Sequence, residues 1–329
     1  MPKISSDSGA AGARVTLYGP VMGTRWSVTL DGAPATGAEP LRQDLAASVR
    51  QVDQQMSPWK ADSDLTRLNL APAGVWVALP PEMFTVLARA LEVARLSAGA
   101  FDPTVGELVD AWGFGATRER PDPAAIQSAR ASVKIAGHAR LELDLASGRA
   151  RKQAPMRLDL CGIAKGYAVD RMAAVLRHHG VRYALACLDG ELRAIGGQAD
   201  GRAWAVALES PEPGRRAARG VIELRDLAVA TSGDYRRYWQ VGETRLAHTI
   251  DPRRTVPLNN GVASVTVLAR DCMDADGWAT ALLVAGPDEG PALARRLGLE
   301  ALFLLRHGGC IVERGVGRFA VDAGNSQPK

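Results

Sequence analysis

The chain has 329 residues, of which 47% are hydrophobic and 23% charged, with a formal net charge of +4. That composition fits a globular protein able to bury a sizeable core, and it excludes disordered and fibrous classes. The arginines fall in scattered pairs without interleaved aromatic residues, so nothing points to nucleic acid as a partner.

Cys161, Cys187, Cys272 and Cys310 form no C-x-x-C pair. Neither a zinc site nor a disulfide framework is expected, and at most one bridge stays open. No apolar run is long enough for a membrane span. The first residues are rich in Ser, Gly and Ala and lack the apolar stretch of a signal peptide, so the chain as written reads as cytoplasmic. A chain trimmed of its export signal would read the same.

In chain order, residues 1–13 read as a flexible tail. Val15 to Leu30 reads as a hairpin broken by Gly19-Pro20 and Gly23. Leu41 to Met56 has helical period, and Pro81 to Leu96 is a second helix with proline in its first turn. Leu141 to Leu145 pairs with the chain after Arg149 around Ala146-Ser147-Gly148. Met156, Leu158 and Leu160 alternate like a strand, and Val169, Met172 and Leu176 continue at helical spacing up to a stop at Gly180.

Short strands follow near Tyr183–Cys187, Trp204–Leu208 and Leu227–Ala230, then a longer one at Val262–Ala269. Helices from about Met273 to Val284 and from Glu289 to Leu297, a strand at Ala301–Leu305 and a flexible tail at 322–329 complete the chain. Strands and helices mix without a βαβ repeat, so the fold class is α+β, with mixed sheets flanked by helices. No linker interrupts residues 14–321, which read as one large domain.

The junction Asp159–Asp170 is the richest in chemistry. Between the strand and the helix a glycine allows a tight bend, and the first helical turn presents N–H groups beside Lys165. This is a place for an anion, most simply a phosphate, although no Walker loop is present. Asp276 and Thr280 stand four apart on one helix face, as oxygen ligands suited to magnesium or as a dipole-stabilised aspartate and a self-bonded threonine. His248 precedes an Asp-Pro turn and is either a general base or an ordering residue. Thr231-Ser232-Gly233-Asp234-Tyr235 reads as a polar loop or an ordinary turn, while Phe101 and Trp59 are core residues or ring platforms.

Taken in order, the motifs Met22-Gly23-Thr24, Asp53–Trp59, Asp62–Asn69, Gly99–Gly106 with Trp112–Gly115, Asp159–Asp170, Ala230–Tyr235, His248–Arg253 and Asp276–Leu282 resemble the FAD:protein FMN transferase (ApbE-like) family. The resemblance runs from about residue 15 to 320. It implies a transferase for protein flavinylation: with Mg2+ on the pyrophosphate of FAD, a Thr or Ser hydroxyl of an acceptor flavoprotein attacks the phosphorus nearer riboflavin, and AMP leaves. It also implies an acceptor site of the type Asp-x-x-Ser/Thr-Gly-Ala-Thr.

By the same resemblance, Gly162 (through its carbonyl), Asp276 and Thr280 hold the metal. Lys165 and Asp159 contact FAD, the lysine neutralising phosphate charge. Met22, Trp59, Ala100, Phe101, Asp102 and Ile250 line the flavin and adenosine pockets, and His248 is the base. Three places depart from the family pattern: Cys161 where glycine or serine is usual, Leu188-Asp189-Gly190-Glu191 in place of Gly-Gly-Asp, and Thr255-Val256-Pro257 in place of Thr-Gly-x-Pro. Family members are mostly exported lipoproteins, and no lipobox stands here. With water as acceptor the same chemistry gives an FAD pyrophosphatase, and without turnover an FAD-binding protein.

Overall fold

The computed structural model describes residues 14–34, 37–132, 137–211, 218–235, 238–241 and 244–320. The tails expected at 1–13 and 322–329 lie outside the described residues. Eight strands form the central sheet: Arg14–Val21, Thr24–Asp31, Ala184–Leu188, Glu191–Ile195, Ala228–Gly233, Val262–Ala269, Glu300–His307 and Cys310–Val316. Their spatial order is their chain order, and every neighbouring pair is antiparallel. The sheet is thus a meander interrupted by long excursions, an α+β arrangement rather than a doubly wound one.

The first hairpin is not broken at Gly19-Pro20. Its register runs unbroken from Arg14↔Asp31 to Val21↔Thr24. Gly19 lies opposite Trp26, and a Cβ there would come within 2.8 Å of the indole nitrogen. The glycine makes room for a fully buried ring, a side chain whose burial contributes on the order of 2–3 kcal/mol.

Helices cover one face of the sheet. Ala38–Met56, Pro81–Leu96, Ala164–His178 and Cys272–Leu297 bury Leu45, Val49, Val86, Ala90, Val169, Met172, Leu282 and Leu283 in the main core with Val28, Val265 and Val267. The hairpin of Trp204–Glu209 with Ala218–Leu224 contributes to a second cluster, where Trp204, Val206 and Leu224 meet Ala194, Val229 and Leu268. The alternation Val267 to the main core and Leu268 to the second follows from the two-residue strand period. The last long helix changes direction at Gly286 (φ 89°, ψ −173°), so the two helical periods at Met273–Val284 and Glu289–Leu297 are separate runs.

The expected strand at Met156–Leu160 does not form. Only an isolated bridge pairs Val105 with Arg157. The segment is extended because the Asn69 side chain clamps Leu158, accepting from its N–H (2.7 Å) and donating to its carbonyl (3.0 Å). Asp159 donates its N–H to the Pro103 carbonyl at 2.8 Å. A strand-like alternation therefore arises from side-chain clamping of an extended loop, with Leu158 and Leu160 buried. Among the described residues no helix is long and apolar enough to cross a membrane.

Candidate active site

The first turns of two helices pack side by side, running in opposite directions. Gly166, in the first turn of Ala164–His178, donates its N–H to Asp276 Oδ2 at 2.9 Å. In exchange Asp170 accepts the N–H groups of Cys272 and Met273, both at 2.9 Å, at the start of the opposite helix. Each helix thus caps the other with a carboxylate, where the macrodipole favours negative charge. The approach depends on glycine: a Cβ at 166 would lie 2.3 Å from the Cys272 carbonyl oxygen and 2.7 Å from Asp276 Cβ.

Two amides of the helix start where an anion site is expected are engaged within the protein. The amide of Gly166 holds Asp276, and that of Ala164 holds the Leu160 carbonyl at 2.9 Å. The cation of the site is the Lys165 side chain. Its Nζ lies 2.8 Å from Glu191 and 3.3 Å from Asp189. Burial pushes its pKa down, but Glu191, Asp276 and Asp189 outweigh burial, and the ammonium is held charged.

The metal-ligand candidates converge. A Cβ on Gly162 would lie 3.1 Å from Thr280 Oγ1 and 3.3 Å from the Phe101 ring, so the loop, the helix and the aromatic are in contact. Thr280 shares a 3.0 Å hydrogen bond with Ser232. The latter sits in the strand Ala228–Gly233, so the expected polar loop at 231–235 is in its first half a strand end. Asp276 is buried, and burial followed by the charge of Glu191 pushes its carboxyl well above the ordinary range. Among the described residues no three His, Cys, Asp or Glu side chains form a metal-holding group. What the site offers instead is the Thr280 and Ser232 hydroxyls beside Gly162, with the Asp276 carboxylate one turn before Thr280 on the same helix, oxygen-bearing groups of the kind that fit magnesium.

Other candidates divide between the site and its supports. Ala100 and Phe101 are buried, Phe101 against Gly162. Asp102 is also buried, and its carboxylate accepts from Thr104 N–H (2.9 Å), Thr104 Oγ1 (2.7 Å) and His138 N–H (3.2 Å), with His138 Nδ1 at 2.9 Å. Burial raises its pKa, yet His138 and Thr104 outweigh burial and hold it low. Its carboxylate thus fastens the 137–140 turn, a partnership with His138 that no sequence spacing announces.

Asp159 accepts from Cys161 N–H at 2.7 Å, and burial raises its pKa. Met22 sits at the first hairpin tip with φ 50°, and Trp59 is exposed. Ile250 is buried in a small cluster with Phe114 and Trp239, and the His248 ring stands edge-on to Phe114 at 6.4 Å. Gly99 links these parts, because a Cβ there would lie 3.7 Å from the His138 ring and 4.0 Å from the Arg253 side chain.

Comparison with known proteins decides the family. The model of the ApbE family matches residues 22–303. The FAD:protein FMN transferase of Vibrio cholerae is 36% identical over 298 residues, 89% of this chain and 88% of its own. The chain belongs to the ApbE family. Its fold is that of solved ApbE structures: flavin transferase ApbE from Vibrio cholerae superposes with a TM-score of 0.84 at 34% identity, covering 94% of this chain and 99% of that one. The apo flavinyl transferase ApbE of Pseudomonas stutzeri gives 0.82 at 36% identity, covering 93% and 95%.

The three departures from the ApbE pattern each have a structural account. At Cys161 burial, then the Asp159 charge, pushes the thiol pKa well above the ordinary value. Thr255, in the segment that lacks the family's glycine, itself takes a positive φ of 59°, in a turn where Asp251 accepts from Arg253 and Arg254 N–H at 2.9 and 3.2 Å. Asp189, at φ 60°, is spanned by a 2.7 Å bond from Gly190 N–H to the Leu188 carbonyl, a tight γ-turn with positive φ. Among the described residues no disulfide joins any of the four cysteines.

Proposed function

We propose that this chain is a Mg2+-dependent FAD:protein FMN transferase that esterifies a Thr or Ser hydroxyl of an acceptor flavoprotein and releases AMP. Family membership makes it a flavin transferase. The observation that carries the finer reading is the convergence of Gly162, Thr280 and Asp276 beside Lys165, oxygen donors and one fixed cation at the same helix junction. Residues 14–321 act as one transferase unit in this reading.

The carbonyl of Gly162, the carboxylate of Asp276 and the hydroxyl of Thr280 would hold the metal. When bound, it supplies charge neutralisation to the pyrophosphate. Lys165 adds a positive charge to the phosphates and, being held protonated, serves as electrostatic partner and not as base. Phe101, Ala100, Met22, Trp59 and Ile250 orient the flavin and adenosine, with Asp102 fixing the Phe101 loop from behind and Asp159 ordering the Cys161–Gly162 turn.

A ring nitrogen of His248 takes the proton as the acceptor oxygen forms its bond to the phosphorus nearer riboflavin. The bond from that phosphorus to the bridging oxygen breaks, and the oxygen leaves with AMP. Such a transfer asks for in-line positioning and neutralised charge more than covalent help. The nearness of Arg253 to Gly99, two residues before Phe101, supports bringing the His248 loop to this end of the site.

Incubation with FAD, Mg2+ and a peptide carrying Asp-x-x-Ser/Thr-Gly-Ala-Thr tests the proposal. Covalent flavin fluorescence on the peptide, with AMP released in step, is expected. AMP and free FMN alone would make the protein an FAD pyrophosphatase, and intact FAD a flavin-binding protein.

A further inference from the structure

Among the described residues of the site, Glu191 is the acid that keeps a buried oxygen without a hydrogen-bond partner. It opens the strand Glu191–Ile195 directly after the Asp189–Gly190 turn, and it is only 4% exposed. Its Oε1 is engaged by Lys165 Nζ at 2.8 Å. Its Oε2 is buried and has no hydrogen-bond partner. A buried carboxylate oxygen without a donor is costly, so its retention points to a donor that arrives with a ligand.

Two facts narrow the donor. Glu191 binds the ammonium of Lys165 while Asp276 binds the amide of the next residue, Gly166, so the two acids flank one turn of helix. Two buried acids so placed favour a cation or its hydration shell over a further anion. Lys165 already holds Oε1, which makes this carboxylate a weak inner ligand, whereas Mg2+ loses water reluctantly and its bound waters are strong donors.

We propose that Glu191 is a positioning residue that orients Lys165 with one carboxylate oxygen and accepts from metal-bound water with the other. This inference rests on the reading of Asp276 as a metal ligand. Glu191 thereby couples the two positive elements of the site: the same side chain that aims the ammonium steadies the hydrated cation. Outer partners of this kind commonly set metal affinity by about tenfold or more.

The test uses Mn2+ as probe on the FAD-free protein, following loss of the free-ion electron paramagnetic resonance signal, with thermal melting as the check on folding. Wild type is expected to bind, Asp276→Asn to lose binding, and Glu191→Gln to bind about tenfold more weakly with its melting temperature kept or raised. Should Glu191→Gln fail to fold, Glu191→Asp carries the same comparison, weakened because its shorter side chain cannot serve both partners. Wild-type Mn2+ affinity in the folded Glu191 variant, alongside lost binding in Asp276→Asn, overturns the inference and leaves the metal reading standing. No binding by wild type, or equal binding by Asp276→Asn, overturns both.

Discussion

Asp276 accepts the N–H of Gly166 at 2.9 Å, so the residue proposed to hold the metal also caps the helix that carries Lys165. Metal ligand and phosphate cation are therefore fixed to one another through a single hydrogen bond, and Asp170 returns the favour from the other helix. Position, more than any one residue, is what this junction supplies to the chemistry.

Asp276→Asn should retain the Gly166 bond and the fold while losing metal-dependent turnover by at least about 100-fold, more than is lost on disturbing an outer partner of a metal site. AMP release at varied Mg2+ measures this. Turnover within a few-fold of wild type would remove Asp276 from the metal set.

Gly166→Ala should harm both stability and activity, because the added Cβ has 2.3 Å to the Cys272 carbonyl oxygen. Forcing the helices apart should cost about 1–3 kcal/mol, with a loss of turnover that added Mg2+ does not restore. Denaturant melts and kinetics at saturating metal check the two halves.

Asp102→Asn tests the His138 support. The depressed carboxyl contributes stability that is fully present above its ordinary pKa of 3.8 and is lost as the pH falls toward its lower folded value. The variant should be less stable than wild type by about 1–3 kcal/mol at pH 7, with the gap closing below pH 3.8. A gap independent of pH would mean that packing, not the ionised carboxylate, holds the turn.

Much of the fold was legible because long periodic segments leave little choice. Pro81–Leu96 and Val262–Ala269 run as their spacing predicts. Met156–Leu160 misleads because Asn69, 89 positions before Leu158, supplies the backbone partners that a neighbouring strand would have. The edge strand Cys310–Val316 goes unread because most of it is exposed and Glu313-Arg314-Gly315 interrupts the apolar alternation of a core strand. In the site, the four-residue spacing of Asp276 and Thr280 announces a shared face. The capping exchange between Gly166 and Asp276 does not announce itself, since it depends on the first turns of two helices packing together across a separation of 110 residues.

Asp189→Gly should stabilise the hairpin by about 1 kcal/mol, since a positive φ suits glycine. It also removes a carboxylate 3.3 Å from Lys165. The KM for FAD should fall about two- to fivefold, the scale of a partly exposed ion pair. A raised KM would instead give Asp189 a direct part in binding FAD.

Phosphoryl transfer to a protein hydroxyl at the Gly162–Asp276–Thr280 site would leave FMN covalently on the acceptor. Mass spectrometry of an acceptor peptide after incubation with FAD and Mg2+ reads this out. One FMN phosphoester on the Thr or Ser is expected, with one AMP released per label and neither product in excess chelator or with Asp276→Asn. Labelling that persists undiminished in chelator and in Asp276→Asn would contradict it.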